Sequence, residues 1–187
     1  AVKSDGQDWD IPNSPHNTNS NGANEYAYFD AVIKDAAGRF PINTKRMMAT
    51  GFSAGGMMVW NLACARSNQF SAFAPMAGTF WLKAPETCAG PVTSIIHIHG
   101  TTDRIVPLAG RPIANTRQGD VLETLAMYQK YGKFGAATEQ KSGNLTCQNS
   151  RNANKDILNF CQFSGGHQFS SEYVKFAWDN FAAAGRF

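Results

Sequence analysis

Hydrophobic residues are arranged in two alternating patterns along this chain. Short apolar runs of the kind found in buried strands occur at residues 46–52, 70–80, 92–100 and 156–163. Helical spacing of apolar residues predicts helices at 24–40, 54–67, 120–135 and 170–185. Because strands alternate with helices, we expect an α/β fold: a mostly parallel sheet with helices on both of its faces.

Length and composition fit one domain spanning residues 1–187, whose first 22 residues read as a polar, turn-rich loop. An apolar share of 43% is ordinary for a globular protein and excludes a disordered chain. The net charge of +3, from 17 basic and 14 acidic residues, is too weak to argue for a nucleic-acid partner. No apolar run approaches the roughly 20 residues that a membrane span requires.

Four cysteines are present, without any CxxC spacing that would indicate a structural zinc site. Their spacing suggests two local disulfides, Cys64–Cys88 and Cys147–Cys161, although four buried free thiols would also fit. Cys147 lies in the polar stretch 141–155, which reads as a loop where a free thiol has little purpose. Two disulfides would imply an oxidising compartment, so we expect a secreted or periplasmic protein. The N-terminus has no signal peptide, so either a leader was removed or another route is used.

Reactive residues follow three of the predicted strands. Ser53 comes after the first strand, Asp103 after the third and His167 after the fourth. In parallel sheets the functional residues gather in loops beyond the carboxyl ends of the strands. We therefore expect these three side chains to converge above one edge of the sheet.

Residues 51–55 form a G-x-S-x-G pentapeptide between a predicted strand and a predicted helix. A nucleophile on such a sharp turn needs small neighbours, and the turn lifts its hydroxyl above the sheet. Amides at the start of the following helix then point toward a developing oxyanion. The alternative is a tight strand-to-helix turn with a capping Ser53.

A serine hydroxyl needs a base to take its proton. Among the four histidines, His167 is the best candidate, because two glycines before it let its loop bend toward Ser53. The ordinary pKa of histidine, about 6.5, suits proton transfer near neutral pH. His16 lies in the N-terminal loop, and His97 and His99 lie within a strand, where histidines are more often part of the core.

The base in turn needs an orienting carboxylate, and Asp103 is the preferred candidate. The alternative, Asp120, reads better as the N-cap of the helix that follows it. The chain order serine, aspartate, histidine is the order of α/β-hydrolases.

Four segments carry a family resemblance: TGFSAGGMM, FAPMAGTFW, HIHGTTDRIVPLAGRPI and SGGHQF. Together they resemble the extracellular polyhydroxybutyrate depolymerase and feruloyl esterase-like group of α/β-hydrolases. The resemblance implies Ser53 as nucleophile, Asp103 as acid and His167 as base in ester hydrolysis through an acyl-enzyme. It also implies that no metal or organic cofactor is needed and that the Ala54 backbone N–H is one oxyanion donor.

The N-terminal part of the sequence departs from the pattern of this group. The group has an early strand ending in a His-Gly loop, which supplies the second oxyanion donor, and the residues before Ser53 contain neither. Three explanations remain open: a cut precursor whose front piece stays associated, a truncated form, or a shortened fold. In the last case a partner or a second copy would cover the open sheet edge.

Substrate contacts are predicted from apolar residues that follow strand ends. Trp81, Ile105 and Val106, with Phe80 and Leu108, can form an acyl or alcohol pocket, although ordinary packing explains them equally well. Short 3-hydroxyacyl esters and hydroxycinnamoyl esters both fit. The alternative to an enzyme is a hydrolase-derived binding module with little activity, since the second oxyanion donor is missing.

Overall fold

The computed structural model describes residues 9–17 and 19–187 of the chain. The first eight residues of the predicted N-terminal loop, and residue 18, lie outside this part. Within the described ranges the α-helices are α1 (Ala23–Arg39), α2 (Ala54–Ala65), α3 (Val121–Tyr131) and α4 (Ser171–Ala183). The strands are β1 (Met48–Phe52), β2 (Ala72–Met76), β3 (Ser94–Gly100), β4 (Arg111–Ile113), β5 (Thr116–Gln118), β6 (Thr138–Ser142), β7 (Leu145–Arg151) and β8 (Ile157–Phe163).

Six of the strands form one sheet in the order β1-β2-β3-β8-β7-β6. The pairs β1·β2, β2·β3 and β3·β8 are parallel, whereas β7 runs antiparallel to β8 and to β6. The mostly parallel α/β sheet predicted from the sequence is therefore confirmed. In the described part of the chain β1 pairs with β2 alone, so it forms one edge of the sheet.

Helices cover both faces of this sheet, as the pattern predicts. On one face, Trp60 of α2 and Tyr128 of α3 pack in a cluster that includes Ile95 of β3. On the other face, Phe181 of α4 packs in a cluster that includes Ile96 of the same strand. Because successive residues of a strand point to opposite faces, one short strand serves both clusters.

The prediction of a loop at residues 141–155 was wrong. Most of this stretch belongs to the hairpin of β6 and β7, joined by Gly143 and Asn144. Tertiary contacts explain why this stretch forms a strand. Because β7 lies between β6 and β8, its backbone groups are paired on both sides despite its polar side chains. Leu145 and Cys147 alternate inward toward the core, which is the strand signal hidden among the polar residues.

Both predicted disulfides are present, and free thiols are thereby ruled out. Cys64 pairs with Cys88 and Cys147 with Cys161. The first bond ties the end of α2 to the segment after β2, and the second joins facing residues of β7 and β8. Among the residues that the structure describes, no helix is long and apolar enough to cross a bilayer.

Candidate active site

Ser53 stands on the sharp turn between β1 and α2. Its backbone has φ 57° and ψ −122°, a strained conformation for a residue with a side chain. Its N–H donates to the carbonyl of Met76, the last residue of β2, at 3.0 Å. The turn thus fixes the hydroxyl above the carboxyl end of the sheet, where the G-x-S-x-G pattern predicts it.

Close backbone packing explains the glycines around this turn. A Cβ on Gly51 would lie 2.5 Å from the carbonyl of Gly55, and a Cβ on Gly56 would lie 2.3 Å from the Met76 carbonyl oxygen. A Cβ on Gly55 itself would meet nothing within 4 Å. The second crowded position is therefore Gly56, one residue beyond the pentapeptide.

Asp103 lies in the loop that follows β3, with its side chain fully buried. One carboxylate oxygen, Oδ1, accepts hydrogen bonds from the backbone N–H groups of Ile105 (2.8 Å) and Val106 (2.9 Å). The other oxygen, Oδ2, lies 2.7 Å from Nδ1 of His167. The loop therefore holds the carboxylate by two amides and leaves Oδ2 to face the imidazole.

His167 lies in the loop between β8 and α4 and joins the other two residues. Its Nδ1 faces Asp103, and its Nε2 lies 2.9 Å from Oγ of Ser53. The ring packs at 4.5 Å from the ring of Phe52, and the side chain is 15% exposed. The structure thus brings together the three residues that the sequence places at separate strand ends.

Glycine at position 100 allows the loop that carries Asp103 to approach the loop that carries His167. A Cβ on Gly100 would lie 2.3 Å from the carbonyl oxygen of Gly166 and 2.5 Å from that of Gly165. The Thr102 N–H donates to the Gly165 carbonyl at 2.9 Å, which ties the two loops together. The geometry of His167 therefore depends on the last residue of β3.

The hydrogen-bond polarity of this site follows from its chemistry. An ionised carboxylate only accepts, so Nδ1 of His167 carries the proton that points at Asp103. In a neutral ring Nε2 then presents a lone pair to the Ser53 hydroxyl. This arrangement can take a proton from Ser53 and stabilise the imidazolium that forms.

The competing candidates have no described hydrogen bond to Ser53. Asp120 caps α3, where its side chain accepts from the N–H groups of Leu122 and Glu123, as predicted. His16 is exposed in the N-terminal segment. His97 and His99 are fully buried, hydrogen-bonded to each other, and neither has a hydrogen bond to Ser53 among those described.

The predicted substrate contacts have different surroundings. Ile105 is 50% exposed and lies two residues from Asp103. Val106 is buried, and its backbone rather than its side chain serves the site by donating to Asp103. Trp81 is nearly buried and lines a cavity of about 390 Å³ beside Asn61, Cys64 and Cys88 that excludes all three residues of the site.

Two aromatic residues missed by the sequence analysis lie near the site. The ring of Phe52 is tilted against that of His167, and the 54% exposed Phe169 lies 6.0 Å from Phe52, measured between ring centroids. Each is adjacent to a site residue or two positions from one, and that proximity was the available signal. With Ile105, they are apolar residues within two positions of Ser53, Asp103 or His167 along the chain.

Ala54 is the first residue of α2, directly after Ser53. The first N–H groups of a helix have no acceptor within the helix, so α2 itself leaves the Ala54 N–H without an intrahelical hydrogen bond. In the described part of the chain no group of three His, Cys, Asp or Glu residues is arranged to hold a metal ion.

Sequence relatives match about half of the chain. It is 33% identical over 99 residues to feruloyl esterase C of Emericella nidulans and 34% identical over 93 residues to a probable feruloyl esterase C of Aspergillus clavatus. These matches cover 52% and 49% of this chain, but only 36% and 33% of the relatives. The matched region therefore spans about a third of their length.

Solved structures share the fold at low sequence identity. An acetyl xylan esterase from Aspergillus awamori has a TM-score of 0.57 and 11% identity, over 89% of this chain and 68% of that one. The esterase PE8 has a TM-score of 0.52 and 15% identity, over 86% and 60%. Both likenesses support the α/β-hydrolase architecture of the sheet.

A family model described as phospholipase/carboxylesterase matches residues 10–136, which is more than half of the chain. The match includes Ser53 with its strand-to-helix turn and Asp103 with its loop. The chain belongs to the phospholipase/carboxylesterase family of α/β-hydrolases.

Proposed function

We propose that this protein hydrolyses carboxylic esters, with Ser53 as nucleophile, His167 as general base and acid, and Asp103 as the orienting carboxylate. The observation that carries the proposal is the continuous contact from Asp103 Oδ2 through His167 to Ser53 Oγ, at 2.7 and 2.9 Å. Membership of a carboxylesterase family and similarity to feruloyl esterases support the same reaction class.

Acylation begins at the Ser53 hydroxyl. Oγ forms a bond to the ester carbonyl carbon while its proton moves to Nε2 of His167. The tetrahedral intermediate collapses by breaking the carbon–oxygen bond to the alcohol, which takes the proton from His167. Water then attacks the acyl-enzyme, gives a proton to His167, and the acid leaves as that proton returns to Ser53.

The oxyanion of each tetrahedral intermediate needs hydrogen-bond donors on the face opposite the imidazole. The Ala54 N–H is the proposed first donor, at the positive end of α2. Removing one such donor typically lowers kcat by about 10²–10³-fold. We therefore expect weak turnover if this chain acts with Ala54 alone.

Apolar side chains close to the three site residues along the chain favour an ester with an extended hydrophobic acyl or alcohol group. The Phe52 ring lies 4.5 Å from the His167 ring and 6.0 Å from the Phe169 ring, and both Ile105 and Phe169 are exposed. Relatives named as feruloyl esterases make a hydroxycinnamoyl ester the first candidate substrate. A short 3-hydroxyacyl ester is the second.

Active-site labelling tests the proposed nucleophile. A fluorophosphonate should form an adduct on Ser53 that peptide mass mapping locates. Ser53→Ala should abolish labelling, and His167→Ala should reduce it strongly because the hydroxyl loses its base. His16→Ala is the matched control, since His16 is exposed and in a different part of the chain.

The alternative is a binding module derived from a hydrolase. A folded wild-type sample that neither labels at Ser53 nor hydrolyses p-nitrophenyl acetate above the buffer rate would support it. Side-by-side rates on methyl ferulate, a butyrate ester and a peptide amide then distinguish the substrate classes for an active protein.

The two disulfides support a location outside the reducing cytosol. We therefore propose that the protein works in a secreted or periplasmic setting. Alkylation of protein taken from its source, without reduction, should leave all four cysteines unmodified.

A further inference from the structure

A buried hydrogen-bond chain runs from α2 to the loop that carries Asp103. Trp60 Nε1 lies 3.1 Å from Nδ1 of His97, and Nε2 of His97 lies 2.9 Å from Nδ1 of His99. Nε2 of His99 lies 2.8 Å from the carbonyl oxygen of Val106. Trp60, His97 and His99 are all 0% exposed, so no solvent completes or interrupts the chain.

The two ends of this hydrogen-bond chain determine the position of every proton within it. The indole nitrogen of Trp60 can only donate, so Nδ1 of His97 must accept. Neutral His97 then carries its proton on Nε2 and donates to Nδ1 of His99. His99 in turn carries its proton on Nε2 and donates to the Val106 carbonyl, which can only accept.

The last member of this chain also approaches the proposed catalytic acid. Nε2 of His99 lies 3.5 Å from Oδ2 of Asp103, the same oxygen that lies 2.7 Å from Nδ1 of His167. One carboxylate oxygen thus faces two imidazoles. If His99 became a cation, it would compete with the His167 imidazolium for that oxygen.

We propose that His99 is a positioning residue, which His97 and Trp60 hold in one neutral tautomer so that Asp103 is reserved for His167. The inference rests on the proposed esterase function. His99 acts in two ways. Its single N–H anchors the Val106 carbonyl, and hence the turn whose amides bind Asp103. Because His99 is neutral, the Asp103 carboxylate stabilises the positive charge of His167 alone.

The surroundings of both histidines keep them neutral. Burial lowers the pKa of His97 well below its ordinary value, and His99 lowers it further. Burial likewise lowers the pKa of His99, with a smaller contribution in the same direction from His167, whereas the Val106 carbonyl and Asp103 raise it. The other described neighbours of His97, Trp60 and Phe160, carry no charge.

The hydrogen-bond chain also connects the elements that hold the proposed nucleophile, Ser53, and the proposed acid, Asp103. Trp60 belongs to α2, which begins directly after Ser53, while Val106 belongs to the loop of Asp103. A shift of that loop by a fraction of an ångström would misalign Asp103 and, through it, His167. Such misalignment lowers kcat more than it changes KM, because it acts on proton transfer rather than on substrate binding.

Nitrogen-15 NMR of the wild-type imidazoles tests the chain directly and needs no catalysis. We expect two histidines, assigned with His97→Gln and His99→Gln, to show protonated Nε2 and unprotonated Nδ1 at pH 7 and above, and to titrate below the ordinary pKa of histidine. An Nδ1–H signal from either neutral ring, or a pKa of either at or above the ordinary value, would overturn the proposal. Loss of Ser53 labelling would instead overturn the esterase function and leave this result standing.

Kinetics of variants test the positioning role. His99→Leu removes the N–H donor, so kcat should fall about tenfold or more while KM stays within about twofold. His99→Gln should recover most of kcat, because its amide both accepts and donates. If His99→Leu does not fold, His99→Gln alone is compared with wild type. The pH–rate profile of His99→Gln should then show a single ionisation on its acid side.

Ile98→Ala is the matched control for a structural effect. Ile98 is equally buried in β3 but points to the opposite face of the sheet. Ile98→Ala should lower thermal stability and leave kcat and KM nearly unchanged. Folded His99→Leu with wild-type kcat, or an equal loss of kcat in Ile98→Ala, would contradict a positioning role.

Discussion

Both oxygens of the Asp103 carboxylate are used, and they have different partners. Oδ1 accepts from two backbone amides, and Oδ2 faces Nδ1 of His167. Asp103→Asn can keep the first set of contacts through its amide oxygen. Its NH₂ group would then face His167, which must turn its Nδ1 lone pair toward it and present Nε2–H to Ser53.

We therefore expect Asp103→Asn to fold and to lose about 10⁴-fold in kcat, because the imidazole is held in the wrong tautomer. Steady-state hydrolysis of p-nitrophenyl acetate measures the loss. Asp120→Asn is the control: asparagine caps helices as well as aspartate does, so activity should not change. An Asp103→Asn rate within tenfold of wild type would remove Asp103 from the proposed mechanism.

Chain order and strand ends were sufficient to predict which residues form the candidate site. Ser53, Asp103 and His167 each follow a strand of the parallel sheet, so topology alone brings them to one edge. The apolar surroundings were less predictable. The substrate role predicted for Val106 remains untested. Its side chain is buried by packing against distant elements, which no local pattern encodes.

The buried histidine chain shows the same limit. Alternation predicts that His97 and His99 share one face of their strand, and they do. Their partners, Trp60 and the Val106 carbonyl, come from two other segments of the chain. Proton positions follow only when all of these partners are known.

At the scale of elements, the close approach of two loops positions His167. Gly100→Ala would place a methyl group 2.3 Å from the Gly166 carbonyl oxygen, so the histidine loop must move. We expect a drop in kcat of about 10²-fold, since displacements near 1 Å can cost that much. A crystal structure of the variant should show a longer distance from His167 Nε2 to Ser53 Oγ.

Gly38→Ala provides the matched control for that substitution. Gly38 lies within α1, and a Cβ there meets nothing within 4 Å. Alanine favours a helix over glycine by about 1 kcal/mol, so this variant should be slightly more stable and fully active. Equal activity of the two variants would show that the loop contact at Gly100 does not control the site.

Sequence patterns predicted the central elements well and the polar ones poorly. The largely buried strands β2, β3 and β8, and the edge strand β1, are rich enough in apolar residues to be identified without tertiary information. The hairpin of β6 and β7 has mostly polar side chains, because β6 lies at the other edge of the sheet and is fully exposed. Its two-residue Gly143-Asn144 connection was the available signal.

At the scale of the whole molecule, two buried neutral histidines make stability depend on pH. The folded protein lowers the pKa of His97 and His99, whereas in the unfolded chain both take up protons below about pH 6.5. The unfolded state then binds more protons, so the free energy of unfolding falls as the pH falls from about 6.5 toward the folded-state pKa values. Each histidine contributes about 1.4 kcal/mol per pH unit within that window.

Urea denaturation at several values between pH 5 and pH 7 measures this dependence. We expect His97→Gln to have a shallower slope of unfolding free energy against pH than wild type, by a difference that grows toward one proton at the acid end of this range. His16→Gln, at an exposed position, should have the wild-type slope. Equal slopes for wild type and His97→Gln would show that burial does not hold His97 neutral.

Among the described residues, no strand pairs with the outer edge of β1. An edge strand offers unpaired N–H and C=O groups to any strand that can align with it, and proteins usually cover such an edge. In the segment between α1 and β1, Phe40 is 61% exposed and Ile42 is 41% exposed, which adds apolar surface to this part of the molecule.

Matched relatives are about three times as long as the region they share with this chain. We therefore expect this edge to be covered in protein isolated from its source, either by a further part of a longer chain or by a second polypeptide, which intact mass under denaturing conditions distinguishes. The covering segment should raise esterase turnover by supplying another oxyanion donor. A single species of 20.3 kDa in both denaturing mass spectrometry and native light scattering would contradict this expectation, and a native mass of twice that value would assign the edge to a second copy.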